Sequence, residues 1–289
     1  EGLQEYLKGK AHIEYVPGYK LKKKAFKVGH WFTNEFEDFD KDLYKKAVCA
    51  ASHADLVIYV GGTSHEHGSD CEGYDKPNLK LPYQQDKLLD GILKANSNTV
   101  VVLIAGGPIE MGQWYNNAST LLYGSFLGME GGNALARTLF GEVNPSGKLT
   151  TTWCKKLEDM PDHIWGEYPG KNDTVRFKEG IMVGYRYFDT YQIKPQFEFG
   201  FGLSYTSFEY SDLDMNPIWN EADDTFDVSF TVSNTGKRYG QEIAQLYVHQ
   251  QECSVQRPVK ELKGFEKVAL QPGESQRVTI KLTKRALQY

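Results

Sequence analysis

The chain has 289 residues, 40% hydrophobic and 25% charged, ordinary globular proportions with enough apolar material for two domains or one large one. A net charge of -5, with Lys20–Lys24 as the only basic cluster, argues against a nucleic-acid partner. No apolar run reaches the length of a membrane span and no signal peptide opens the chain, so no membrane partner is expected; the start at Glu1 rather than Met leaves a processed or upstream part open.

In chain order, Gly2–Gly9 reads as a short helix and Ala11–Val16 as a strand ended by Pro17-Gly18. Residues 19–40 are charged and aromatic without a period and read as irregular. Leu43, Ala47, Val48 and Ala51 recur at helical spacing, which predicts a helix over Asp40–His53. The apolar run 55–60 then reads as a buried strand, and a long polar loop, Gly61–Leu81, follows it. A helix is expected over Tyr83–Ala95, with Leu88, Leu89, Ile92 and Leu93 as its apolar stripe. Thr99–Ala105, TVVVLIA, has the continuous β-branched character of a parallel strand buried on both faces, and Gly106-Gly107-Pro108 ends it. A shorter strand at Leu121–Phe126 and a helix at Asn133–Phe140 complete an alternation that predicts a parallel α/β sheet with right-handed crossovers.

The pattern changes after Gly147. Residues 147–205 are rich in Gly, Pro and aromatics and contain no long helical period. From Phe226 the alternation is clean: Phe226, Val228, Phe230 and Val232, then Ala244, Leu246 and Val248, then Val278, Ile280 and Leu282 after the turn Pro272-Gly273. Short alternating strands between turns predict an all-β, immunoglobulin-like sandwich. The expected division is an α/β domain over 1–216, of which 147–216 is an irregular aromatic-rich connection, and a sandwich over 217–289, with the boundary near Pro217–Asp224. Only about 65 residues follow that boundary, against roughly 100 for a full sandwich of this kind, so the second domain reads as truncated. The four Cys are widely spaced without a CxxC pair and read as free thiols, and the 13% aromatic content suits sugar handling or large packed interfaces.

The loop Gly61–Leu81, GGTSHEHGSDCEGYDKPNLKL, carries the chemistry. It follows a strand of the α/β sheet, where such folds place their ligand sites. Its His65, Glu66, His67, Asp70 and Cys71 are metal-ligand types, but HxH with one Cys lacks the paired spacing of a structural zinc site. Gly61-Gly62 could cradle a phosphate only if a helix began at once, and a long loop intervenes. Neither a metal nor a cofactor is expected. The third reading is carboxyl acid/base chemistry by Glu72, with Gly73 allowing close backbone approach and Asp75 and Lys76 able to tune its charge. By residue type alone, a Glu in a surface loop is ordinarily solvated.

A resemblance changes that. Cys71-Glu72-Gly73-Tyr74-Asp75-Lys76-Pro77-Asn78-Leu79-Lys80-Leu81-Pro82 is similar to the EGYDRPxLxLP segment of glycoside hydrolase family 3 β-glucosidases. Gly106–Glu110 resembles that family's strand-end GxPVE, Gly128–Ala134 its GxEGGNA turn, and Phe140–Leu149 its LFGxVNPSGKL segment. Glu179–Asp189 and Phe197–Thr206 resemble two further strings of the family, and Arg257–Phe265 its fibronectin type III-like module. The similarity is collinear from about residue 54 to 282 and implies a mainly parallel-sheet α/β sandwich followed by a fibronectin III-like sandwich.

The resemblance implies that Glu72 is the general acid/base of a retaining β-glucosidase acting on terminal β-D-glucosyl residues of β-glucosides or cello-oligosaccharides. Asp75 and Lys76 are the candidate substrate-binding residues; the family usually has Arg at the position of Lys76, so a planar bidentate contact is not available there. Tyr185, Tyr187, Phe199 and Tyr205 read as packing residues rather than substrate contacts. The family's nucleophile is an Asp on a (β/α)8 barrel, and nothing in this chain resembles a barrel repeat. The implied partner is therefore such a barrel, in the same or a companion chain, and this chain alone is expected to be inactive. The alternatives are a non-catalytic carbohydrate-binding or scaffold protein, or β-xylosidase or N-acetylglucosaminidase specificity. A homo-oligomer is compatible with the sequence; the compartment is not fixed by it, with a periplasmic or extracellular setting favoured over the cytoplasm.

Overall fold

The computed structural model describes residues 1–20, 39–64, 70, 76, 78–166, 168, 170, 172–215 and 224–288. The chain packs as two compact units, Glu1–Ala134 with Trp153–Ile164, and Leu135–Thr152 with Trp165–Tyr289. Most of the region expected to be irregular at 19–40, and almost all of the boundary expected at 217–224, lie outside the described residues.

The first unit is α/β. Its elements are α1 (Gly2–Tyr6), α2 (Lys41–His53), β1 (Val57–Gly62), α3 (Gln85–Ala95), β2 (Thr99–Ile104), β3 (Thr120–Gly124), the start of α4 (Gly131–Leu139) and α5 (Pro161–Ile164). The strands are parallel in the order β1-β2-β3, with Val57 opposite Thr99 and Val100 opposite Thr120. The central strand is the β-branched run: Val101, Val102 and Leu103 are fully buried, as a strand covered on both faces requires. The stripe Leu88, Leu89, Ile92 and Leu93 of α3 is buried as its spacing predicts. At α2, the Asp40 carboxylate accepts from the amides of Asp42 and Leu43, and the Asn96 side chain donates to the Ala51 and Ala54 carbonyls at the other end.

One expected strand is absent. Residues 11–16 form no ladder; Ala11, His12, Glu14 and Tyr15 are exposed and only Ile13 and Val16 are partly covered. An alternating segment becomes a strand only where a neighbour takes up its backbone groups.

The second unit holds two antiparallel sheets. After α6 (Tyr185–Thr190) come β4 (Phe208–Met215), β5 (Thr225–Asn234), β6 (Gly240–Val248), β7 (Glu261–Leu270), β8 (Ser275–Thr283) and α7 (Lys284–Leu287). They pair as β4-β5-β8 and β6-β7. Phe226 faces Leu282, Val228 faces Ile280 and Phe230 faces Val278, so the period-2 pattern delivers cross-strand apolar pairs to one core. Val268 and Leu270 of β7 and Ala244 of β6 join it. On the intervening positions Ser229 and Thr279 hydrogen-bond at 2.8 Å. Leu246 and Val248 pack against this core half-buried. As expected, no long helix occurs among the described residues of 147–205. Among the described residues no helix is long and apolar enough to cross a membrane.

Candidate active site

The loop after β1 is held at both ends. Gly62 has φ +136°, and a Cβ there would overlap the Ile104 carbonyl, so only Gly lets β1 run this close beside β2. The Thr63 amide donates to the same carbonyl at 2.9 Å. The chain returns through Pro82 and enters α3 by way of Tyr83 and Gln84, both in the left-handed region with φ 58° and 50°.

Gln85 joins the two ends. Its Oε1 accepts from the Tyr59 hydroxyl at 2.8 Å and the Gly62 amide at 2.9 Å. Its Nε2 donates to the Gly62 carbonyl at 2.8 Å and the Pro82 carbonyl at 3.0 Å. The side chain is fully buried, yet both ends of its amide are satisfied. Burial, with the charges of Tyr19 and Asp86 behind it, pushes the Tyr59 phenol well above its ordinary pKa, so Tyr59 remains a donor.

Further along the loop, Asp70 reaches back to the carboxyl ends of the strands. Its Oδ2 accepts from the Gly106 amide just after β2 at 2.8 Å and from the Thr63 hydroxyl just after β1 at 3.0 Å. Lys76 Nζ lies 3.8 Å from the same oxygen, with both side chains largely buried. On β3, the Tyr123 phenol is raised by burial and then by the charge of Asp70, and its hydroxyl donates to the Ala105 carbonyl at 2.8 Å. The Glu110 amide donates to the Leu79 carbonyl at 2.8 Å, which ties the late loop to the segment after β2. Thr63 and Asp70 thus meet the carboxyl ends of the strands, the edge at which parallel α/β folds bind ligands.

Of the residues predicted from the sequence, Glu72 and Asp75 lie outside the described residues, as do His65, Glu66, His67 and Cys71. Lys76 is placed, with its ammonium at Asp70. Among the described residues no group of three potential ligands could hold a metal ion. Among the described residues the next helix after Gly61-Gly62 begins at Gln85. Cys49, Cys154 and Cys253 are free thiols. Burial, ahead of the charges of Asp159, Glu110 and Asp162, raises the Cys154 thiol to about 11, so it is no nucleophile at neutral pH.

Sequence reasoning did not single out Gln85, and gave Asp70 no role beyond that of a ligand type. Gln85 had a signal: it stands with Leu88, Leu89 and Ile92 on the buried stripe of α3, where a polar residue demands a partner. Asp70 had none, because its partners come from the ends of two strands distant in sequence.

In the second unit the recognisable strings lock to each other. Asn144 accepts from the Ser204 hydroxyl at 3.0 Å and the Tyr205 amide at 2.8 Å, and donates to the Tyr239 carbonyl at 2.9 Å. Lys148 donates to the Gly202 carbonyl at 2.7 Å and pairs with Glu242 at 2.9 Å. Tyr185 stacks on Phe199 at 4.9 Å and accepts from the Leu262 amide at 2.8 Å, and Tyr187 is buried. A depression of about 490 Å³ lies beside Phe199, Phe201, Tyr210 and Tyr247. Its polar lining is engaged internally: Tyr247 donates to Gln245, which donates to the Gly200 carbonyl.

Comparison with known proteins is consistent across sequence and fold. The model of the glycosyl hydrolase family 3 C-terminal domain matches residues 1–205, and that of a fibronectin type III-like domain matches 242–289. The chain belongs to glycosyl hydrolase family 3. It is 46% identical over 249 residues to the β-glucosidase BoGH3A of Bacteroides ovatus, covering 86% of this chain and 33% of that protein. To the thermostable β-glucosidase B of Acetivibrio thermocellus it is 43% identical over 280 residues, covering 97% and 35%. Among solved structures, the Bifidobacterium adolescentis family 3 β-glucosidase superposes with TM-score 0.85 at 35% identity, covering 98% of this chain and 39% of that one. This family 3 chain therefore spans about a third of the length of the curated relatives it matches.

Proposed function

We propose that this chain is the acid/base-bearing part of a retaining β-glucosidase that removes terminal non-reducing β-D-glucosyl residues. The observation that carries the reading is the family match over residues 1–205, which spans a loop fastened at both ends to the carboxyl edge of the sheet. Glu72 stands in that loop at the position of the family's acid/base. It protonates the glycosidic oxygen as the aglycone departs, then takes a proton from the water that hydrolyses the glycosyl-enzyme. The nucleophile comes from a (β/α)8 barrel in the same or a companion chain, its carboxyl group about 5–5.5 Å from that of Glu72. Asp75 is the candidate partner for sugar hydroxyls, and Lys76 contributes its positive charge from beside Asp70. The exposed Leu127 and Met129 in the turn before α4 offer apolar surface for the barrel to cover.

The isolated chain is expected to leave an aryl β-glucoside intact, and the chain joined to a family 3 barrel to hydrolyse it. In that complete enzyme Glu72→Gln slows glycosylation by about 100- to 10,000-fold for cellobiose, and far less for a dinitrophenyl glucoside whose leaving group needs no proton. Hydrolysis by the isolated chain, or equal losses on the two substrates, would overturn the assignment. A complete assembly that binds glucosides without cleaving them would favour the carbohydrate-binding alternative.

A further inference from the structure

We propose that the free edge of β6 is an acceptor for a further antiparallel strand of the same polypeptide, from outside residues 1–289, which closes the sandwich over β4. Among the described residues β6 pairs with β7 alone, so three strands face two across the core. Ile243 stands opposite Lys267 of β7, yet its amide donates to Glu242 Oε1 at 3.0 Å. By the alternation of an antiparallel ladder, Gln241 and Gln245 turn their backbone groups to that same edge, away from β7. An open edge is a template for another strand, and a two-stranded sheet is marginal by itself.

The facing sheet shows the same gap. Tyr210 stands opposite Val232 and Met215 opposite Val228, so both share a face with the core residues of β5. Val232 and Val228 are buried, whereas Tyr210 is 50% exposed and Met215 62%. The two features meet in the depression of about 490 Å³, which Tyr210 lines from one sheet and Ile243 and Gln245 from the other, with Phe199 and Phe201 beside them. Five strands are described in this unit, against seven in an immunoglobulin-type sandwich. The strand that fits matches the nine residues of Gly240–Val248 and is apolar at the alternate positions that meet Tyr210 and Met215. It needs no charge, because Glu242 at this edge is already paired with Lys148 at 2.9 Å. A segment of the same polypeptide meets the edge at an effective concentration on the order of millimolar, an advantage that a separate copy lacks. The curated relatives do carry chain outside the matched part.

Hydrogen exchange compares the chain of residues 1–289 with the complete natural polypeptide that contains it. In residues 1–289 the Gln241 and Gln245 amides are expected to exchange freely, while those of Glu242 and Ala244, turned to β7, are protected. In the complete protein the Gln241 and Gln245 amides slow by about a hundredfold or more. Ile243→Pro removes a donor that the β6-β7 ladder does not use. It should leave the urea midpoint of residues 1–289 nearly unchanged, and in the complete protein return Gln241 and Gln245 to their unprotected rates. Should that variant not fold, Met215→Lys must give the same contrast: no loss where the side chain lies in water, an earlier midpoint where a strand covers it. Equal exchange in the two proteins, or a complete polypeptide with no alternating apolar segment outside residues 1–289, would overturn the inference. Protection already present in residues 1–289 at high concentration and lost on dilution would assign the edge to a second copy, and so overturn it too.

Discussion

In the first unit, Gln85 and Asp70 fasten the two ends and one interior point of the loop that carries the proposed acid/base. In the second unit, Asn144, Lys148 and Glu242 fasten segments to one another, and each polar group meets a partner in the framework itself. Both regions coincide with strings that resemble the same family, so motif strength does not separate them. What separates them is topology. A buried polar side chain that bridges the two ends of one loop presents what lies between; one that bridges several framework segments builds structure.

The comparison breaks most sharply at Gln85. Gln85→Leu keeps the apolar stripe of α3 but takes the side-chain partner from the Tyr59 hydroxyl, the Gly62 amide and the Gly62 carbonyl in a dry interior, while the Pro82 carbonyl keeps the backbone amide of position 85 at 3.3 Å. Each stranded group costs about 1–3 kcal/mol, and non-additivity brings the expected sum to roughly 3–5 kcal/mol. Urea unfolding of the isolated chain measures it. A loss below about 1 kcal/mol would mean that water replaces the amide and that the loop ends are not fixed by Gln85.

This residue also shows where sequence reading works and where it stops. The run TVVVLI needed nothing but its β-branched character to be placed at the centre of the sheet, and the alternation from Phe226 led directly to the sandwich core. Gln85 could have been found, because helical period alone puts it on a buried stripe. Residues 11–16 misled, because alternation says nothing about whether a neighbouring strand exists. Two strands were missed. β4 is almost wholly exposed, with Asp212 at φ 52° and a register shift between Ser211 and Asp214, so its residues do not alternate. β7 buries only Val268 and Leu270 near its end. At the site, Glu72 is proposed through resemblance alone and lies outside the described residues. The grip on Asp70 was not legible at all, since Thr63 and Gly106 meet it only once two strands are paired.

The lock of the second unit breaks at Lys148. Lys148→Met strands Glu242, whose side chain is 11% exposed, and is expected to cost about 2–3 kcal/mol, less than a fully buried pair because water still reaches the site. The double variant Lys148→Met/Glu242→Leu should recover most of that, as removing both charges removes the desolvation cost. A double variant as unstable as the single one would mean that Glu242 serves chiefly through its bond to the Ile243 amide. Neither change should shift the ratio of cellobiose to dinitrophenyl glucoside hydrolysis in the complete enzyme, in contrast to Glu72→Gln.

Gly202→Ala tests the same lock by crowding. A Cβ at Gly202 would run into the Gly147 carbonyl and meet the Lys148 stem at 3.1 Å. The Lys148 stem can move, but the carbonyl belongs to a segment held by the Leu149 amide bonded to the Phe201 carbonyl at 2.8 Å. About 1–3 kcal/mol of overpacking is expected, seen as an earlier urea midpoint at unchanged slope. An unchanged midpoint would show that the strings slide past each other and form no lock.

The smallest effect lies at Glu261, where acid should undo a framework contact. Burial alone would raise its pKa, but the hydrogen bond from Arg257 at 2.6 Å and the charges of Lys263 and Arg186 outweigh it and hold the carboxyl below its ordinary value. A depressed folded pKa binds fewer protons than the unfolded chain does. The contribution is therefore complete above the ordinary value of 4.5 and is lost as pH falls through the lowered one. With arginines and lysine partly in water, about 0.5–1 kcal/mol is expected at neutral pH. Glu261→Gln should show that deficit at pH 7 and converge with the wild type in acid. A deficit that persists unchanged after acidification would assign the effect to lost packing rather than to charge.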